Sequence, residues 1–171
     1  ILIREVERLN GVLEDFLHFA RPVPVEPGSF ELNQLVREVF DLVRQQAINS
    51  RVELSFKAGE IDEIPGQAEQ IRQALLNLIL NALQAMPDGG TLAVTTLLVN
   101  KQAKIMITDS GQGIAEQDRQ RIFNPFVTTR SEGTGLGLAI TQRIVQGHSG
   151  HIELVSSPGA GATFTVCLPA G

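Results

Sequence analysis

Four stretches of this sequence hold side chains whose types and spacing could do chemistry. In QALLNLILNALQAM (73–86), Asn77 and Asn81 stand four residues apart, so on a helix they share one face of an otherwise apolar segment. A carboxamide pressed against a core must be hydrogen-bonded or serve a ligand, although two asparagines at the rim of a buried face would be spaced alike. In TDSGQGI (108–114), Asp109 closes the run KIMIT, where its carboxylate could accept from an exocyclic amino group. Gly111 and Gly113 would let the backbone pass close beneath a flat ring, though an Asx turn is written with the same letters. IFNPFVTTR (122–130) sets Phe123 and Phe126 in a polar loop, where they could anchor a lid. Thr128, Thr129 and Arg130 then offer hydroxyls and a cation. GTGLGLAI (133–140) places Gly133, Gly135, Leu136 and Gly137 directly ahead of a helix, whose N–H groups would point at an anion. The run lacks the leading strand and βαβ unit of a dinucleotide fingerprint, and the lysine of a P-loop.

Elements of the right kind surround these stretches. Leu32, Leu35, Val36, Val39, Phe40 and Val43 mark the buried side of one helix, and VELSF (52–56) alternates like a strand. A long helix over about 67–86 carries Ile71, Leu75, Leu78, Ile79 and Ala82 as its apolar face. The turn signal Asp88-Gly89-Gly90 leads into the strands TLAVTTLLV and AKIMITD. Residues 110–134 lose periodicity, and an irregular stretch of that length in a compact domain tends to be a lid or binding loop. A helix over about 135–147 and the strands HIELVS and ATFTVCLP follow. So few crossovers suit an α/β fold, a two-layer sandwich of a mixed sheet with helices on one face.

A single N-terminal helix precedes that unit. Leu2, Val6, Leu9, Leu13, Phe16 and Ala20 form a heptad-like stripe that needs a second apolar face, or its own domain, to cover it. Arg21-Pro22, Pro24 and Pro27 then stop the helix. The expected organisation is a helix over 1–21, a linker over 22–28 and a domain over 29–171.

Composition narrows the class. The chain has 171 residues, 43% of them hydrophobic and 19% charged, enough for a sizeable core in one full-sized domain. A formal charge of −5 gives no reason to expect nucleic acid as a partner. Cys167, the sole cysteine, sits in the apolar TFTVCLP and reads as a buried strand residue, with no cysteine cluster to suggest zinc. No apolar run is long enough to span a bilayer and no signal peptide is evident, so a cytoplasmic unit without membrane contact is expected.

Paired asparagines on a helix, DxGxG after a strand, a Phe-anchored loop and a Gly-rich helix start, in that order, form a combination far more specific than any one of them. Over about residues 30–169 the chain resembles the ATP-binding catalytic domain of sensor histidine kinases, in the superfamily shared with DNA gyrase, Hsp90 chaperones and MutL proteins. The closing pattern GHSGHIELVSSPGAGATFTVCLP belongs to the likeness. The resemblance implies ATP and Mg²⁺ as ligands, with Asn81 on the metal and Asn77 lining the same site. It implies that Asp109 reads the adenine amino group, Gly111 and Gly113 shape the base pocket, and Phe123 and Phe126 seat the lid. Gly133, Gly135, Leu136 and Gly137 would carry the phosphate end, with Thr129 and Arg130 beside the γ-phosphate. Arg130 departs from the usual lysine, keeping the charge but replacing a point by a fork. Gln67 departs from a frequently acidic position, where the role is structural.

RLNGVLEDFLHFARP resembles the second helix of the dimerisation and phosphoacceptor hairpin. The implied partners are the phosphoacceptor hairpin of the same or a partner kinase chain, a response regulator and, for the parent protein, a second copy. His18, followed by Phe19 rather than an acidic residue, does not fit the phosphoacceptor. His148 and His151 read as a solvated turn; their spacing invites a metal, but no third ligand type is close in sequence. Two rival functions are an ATP hydrolase of the gyrase or chaperone type and a nucleotide-binding module inactive without its partner. Hydrolases of that type carry a glutamate at the position of Asn77, and an amide has no useful basicity. The apolar stripe, lacking the other half of its hairpin, predicts weak self-association. Sedimentation velocity at high concentration checks this, and a monomer alone contradicts it.

Overall fold

A computed structural model of the chain describes residues 28–128 and 134–171, together with Val6, Asn10, Gly11, Leu13, Phe16, Leu17 and Ala20. Those seven are helical and exposed, with Val6 and Leu13 each at 55%, so the described part of the apolar stripe is uncovered. Leu2, Leu9 and the linker at 22–27 lie outside the described residues.

The domain runs β1 (Ser29–Glu31), α1 (Leu32–Asn49), β2 (Val52–Lys57), β3 (Glu63–Pro65), α2 (Ala68–Gln84), β4 (Gly90–Val99) and β5 (Gln102–Asp109). After two single-turn 3₁₀ segments come α3 (Gly137–Gly147), β6 (His151–Ser156) and β7 (Ala162–Pro169). Five strands form one sheet in the order β2-β4-β5-β7-β6, parallel between β2 and β4 and antiparallel elsewhere. This is the expected mixed sheet with helices on one face. The small antiparallel pair β1–β3 was not anticipated, because three-residue strands carry too little alternation to be read.

Side-chain alternation decides which face is covered. On β5 the buried residues are Ala103, Ile105, Ile107 and Asp109; facing them across the ladder, β7 presents Leu168, Val166, Phe164 and Ala162. On β4, Thr96, Val94 and Leu92 continue these rows. The helices lie on this face, with α2 touching both α1 and α3. Its residues Ile71, Leu75, Leu78 and Ile79 are each at most 1% exposed, as expected of the middle helix of the layer. Among the described residues no helix is long and apolar enough to cross a membrane.

Two polar links lock the layer. Thr96 donates its hydroxyl to Asn33 Oδ1 at 2.6 Å, Asn33 Nδ2 donates to the Gly59 carbonyl, and the Gly59 N–H donates back to Thr96 Oγ1. The triangle ties α1 and the loop after β2 to the sheet with each buried group satisfied. The second link corrects the reading of His148 as a solvated residue. It is 8% exposed; its Nδ1–H donates to the Ile144 carbonyl at 2.8 Å, and its Nε2 accepts the backbone N–H of Gln67 at 3.0 Å. Gln67 is the N-cap of α2, so a side chain at the end of α3 satisfies an N–H that no side chain of α2 caps. His151, by contrast, is exposed as expected. The variant His148→Ala leaves the Gln67 N–H unpaired in a part-buried setting and is expected to cost about 1–3 kcal/mol. Urea unfolding measures this, and an unchanged midpoint would contradict the role given to His148.

Candidate nucleotide site

A cavity of about 490 Å³ opens between α2, the end of β5, the start of α3 and the segment 112–128. That volume lies in the range of small-molecule sites. Asn77, Asn81, Asp109, Gly113, Gly135 and Gly137, widely separated in sequence, all line it.

Asp109 occupies the last inward position of β5, opposite Leu92 on one side and Ala162 on the other. Period-two alternation therefore carries a carboxylate into a row that is otherwise apolar. It is 6% exposed, and its Oδ1 accepts the N–H of Gly111 at 2.8 Å. That bond is the Asx turn the letters allowed, and it coexists with a place in the cavity wall. Gly111 and Gly113 are required by the protein's own packing. A Cβ at Gly111 would stand 2.7 Å from the Ala85 carbonyl oxygen, and one at Gly113, whose φ is +71°, would drive into Ser157. Ser156 pins the same segment, accepting the Ile114 N–H at 2.9 Å and donating to the Gly161 carbonyl at 2.8 Å.

On α2, Asn77 and Asn81 are both half-buried, at the rim of the apolar face. Asn77 Nδ2 donates toward the Gly137 carbonyl at 3.3 Å and toward Thr141 Oγ1 at 3.5 Å, while the Thr141 hydroxyl donates to Gly137 at 2.8 Å. The amide nitrogen is thus turned toward α3. Thr141, fully buried, was not singled out in sequence because a threonine one turn into a helix ordinarily bonds its own backbone. α3 starts at Gly137 with Leu136 as N-cap and no side-chain cap. Thr134 Oγ1 accepts the Leu136 N–H at 3.3 Å, no cap from Leu136 reaches the N–H groups that follow, and a Cβ at Gly137 would meet nothing closer than Asn77 Cγ at 3.9 Å. Leu136 itself is fully buried and serves as a core anchor for this turn.

Of the two expected lid anchors, Phe123 packs edge-on against Phe164 with centroids 6.3 Å apart. Phe126 holds the segment differently. Its side chain is 61% exposed, its φ is +64°, and its N–H donates to the Gly135 carbonyl at 3.0 Å. Thr128 lines the cavity; Thr129, Arg130 and Gly133 lie outside the described residues. Among the described lining residues the charged ones are Asp109 and Asp118, and Leu80, Ile114, Ile122, Val127 and Phe164 supply apolar wall. Most of these lie inside the stretches singled out in sequence, but their apolar type gave no sign of a place in the wall.

Residues 66–171 match the family described as histidine kinase-, DNA gyrase B-, and HSP90-like ATPase. The chain belongs to this family. As a member of this ATPase family it is an ATP-binding domain of the kind histidine kinases carry. It is 39% identical over 170 residues to the sensor histidine kinase ZraS of Escherichia coli (strain K12), covering 99% of this chain and 37% of that protein. Its fold superposes on full-length ShkA in complex with AMPPNP with a TM-score of 0.89 and 28% identity, over 98% of this chain and 37% of that one. It also matches ThkA, solved in complex with the response regulator TrrA, with a TM-score of 0.84 and 27% identity, over 100% of this chain and 50% of that one. The chain thus spans well under half the length of the kinase ZraS. Within this ATPase family the buried carboxylate predicts a sharp effect of charge removal. Asp109→Asn keeps an acceptor for Gly111 but loses a charge-assisted bond of about 1.5–3 kcal/mol, so ATP affinity is expected to fall about 10- to 150-fold. Isothermal titration with both proteins checks it, circular dichroism confirming the fold.

Proposed function

We propose that this chain is the catalytic segment of a sensor histidine kinase, transferring the γ-phosphoryl of ATP to a histidine on a helical hairpin for relay to a response-regulator aspartate. The observation that carries the choice of transfer over hydrolysis is Asn77. One turn before Asn81 stands an amide whose nitrogen is turned toward Gly137 and Thr141. Such a group cannot take a proton from water.

The chemistry assigned to the chain's own residues is positional. Asp109 accepts from the adenine amino group from its buried place in the cavity wall. The uncapped start of α3 directs backbone N–H groups at the phosphates, as helix N-termini do for anions. The amide oxygen of Asn81 is a hard donor suited to Mg²⁺, which would be held there together with phosphate oxygens. When bound, that ion would neutralise phosphate charge and help orient the phosphates. Arg130 supplies a second positive charge at the γ-phosphate. The described segment 112–128, seated by Phe123 and the Phe126–Gly135 bond, lines the cavity, and closing over bound nucleotide it would exclude water. The nucleophile comes from the hairpin of the same or a partner chain, and residues 1–21 are read as one helix of that hairpin, followed by a linker at 22–28. A homodimeric parent and a response-regulator partner follow from this reading and are in keeping with ThkA, solved with TrrA.

Radiolabelled ATP and a purified phosphoacceptor hairpin test the proposal. The chain is expected to label the added hairpin in a Mg²⁺-dependent manner, with the rate falling at least about tenfold in Asn81→Ala, the loss of one charge-stabilising contact. Release of inorganic phosphate without label on the hairpin would make it a hydrolase. Binding without either product would make it a nucleotide-binding module only.

A further inference from the structure

The sheet face turned away from the helices carries a cluster that the nucleotide site does not use. Outward positions alternate with the core rows, so Lys104 on β5, Cys167 on β7 and His151 on β6 stand side by side in one register row. Glu153 follows His151 by two residues and points the same way. The imidazole of His151, a carboxylate oxygen of Glu153 and the Cys167 thiol all lie within 4.8 Å of one another. His151 Nε2 and Glu153 Oε1 are 3.2 Å apart. Two ligand atoms bound at about 2.0–2.1 Å to one tetrahedral ion are separated by about 3.3 Å, so this edge already has the length a metal needs. His151 and Glu153 are exposed and Cys167 is fully buried beneath them.

From this geometry we propose that His151, Glu153 and Cys167 form a three-ligand site for a borderline divalent transition ion of the zinc or cobalt class, with water in the fourth position. The donor set selects that class. A thiolate and an imidazole favour such ions, whereas Mg²⁺ and Ca²⁺ take oxygen ligands throughout. Lys104, whose Nζ is 3.7 Å from Glu153 Oε1, is the competitor the ion displaces. Protons compete as well. Burial first, and the Glu153 charge second, push the Cys167 thiol above its ordinary range, with Lys104 opposing. Binding must release the thiol proton. The ion would fasten the edge strand β6 to β7 on the face opposite the nucleotide cavity. The site is independent of the kinase assignment.

Cobalt titration of the full chain tests the site, and the sequence makes the readout unambiguous. Cys167 is the only thiol in the chain, so a thiolate-to-cobalt charge-transfer band reports on it alone. The expected result is one Co²⁺ per chain, with that band and the intense visible bands of a tetrahedral ion, both lost on adding Zn²⁺. His151→Ala removes an exposed side chain and is expected to weaken binding at least tenfold with the fold intact. Cys167→Ser is expected to abolish the charge-transfer band. ATP affinity is expected to stay unchanged in His151→Ala. The absence of a charge-transfer band in the parent chain, or a band that survives unchanged in His151→Ala, would overturn the proposal.

Discussion

The register of the central sheet is the constraint on which the site rests. Among the described residues, helices cover only one face of the five strands, so alternate residues must be apolar until the helix layer ends. On β5 that row runs Ala103, Ile105, Ile107 and then Asp109, with Leu92 and Ala162 as its cross-strand neighbours. A shift of one residue would turn Asp109 outward together with the whole apolar row, which is why the hydrophobic pattern fixes the carboxylate's place as firmly as any bond to it. Burying it has a desolvation cost, offset in part by the Gly111 N–H at 2.8 Å.

α3 is the second organising element, because three unrelated tasks meet on it. Its uncapped first turn faces the cavity, its Thr141 and Gly137 hold the Asn77 amide, and His148 just beyond its end caps α2. Two helices from distant parts of the chain are thereby joined at both ends of their contact. The asparagines of α2 and the glycine-rich start of α3 are therefore positioned as one unit rather than as two motifs that happen to be close.

Much of this was legible in the sequence, and the reasons for the rest are physical. The long elements were readable because Ile71, Leu75, Leu78 and Ile79 repeat at helical spacing and AKIMITD alternates. Asp109, Asn77 and Asn81 were legible as polar residues in apolar settings, and the cavity gathers all three. His148 was misread because its partner, the Gln67 N–H, lies 81 residues away. Spacing cannot report a contact of that range. The glycines at 111 and 113 were recognised, but the part that the protein's own packing plays in requiring them was not. They make room for Ala85 and Ser157 of the protein, and Gly113 also lines the cavity. Phe126 likewise contributes through a left-handed backbone and its N–H, neither of which a residue type reveals. The outward row of Lys104, Cys167 and His151 depends on the pairing of β6 and β5 with β7, so no local window contains it.

The segment between β5 and α3 is tethered at several points: Ser156 takes the Ile114 N–H, Phe123 lies on Phe164, and Phe126 is tied to Gly135. What lies between these tethers therefore closes loops whose ends are already fixed by the sheet and by α3. The entropy of closing such a loop grows only with the logarithm of its length, about 0.6 kcal/mol for each doubling. Insertions between the tethers would thus tax the domain very little, while the rows of the sheet would tolerate none. The architecture separates a part free to diverge in length and composition from one that cannot, and it puts that freedom beside the candidate nucleotide cavity.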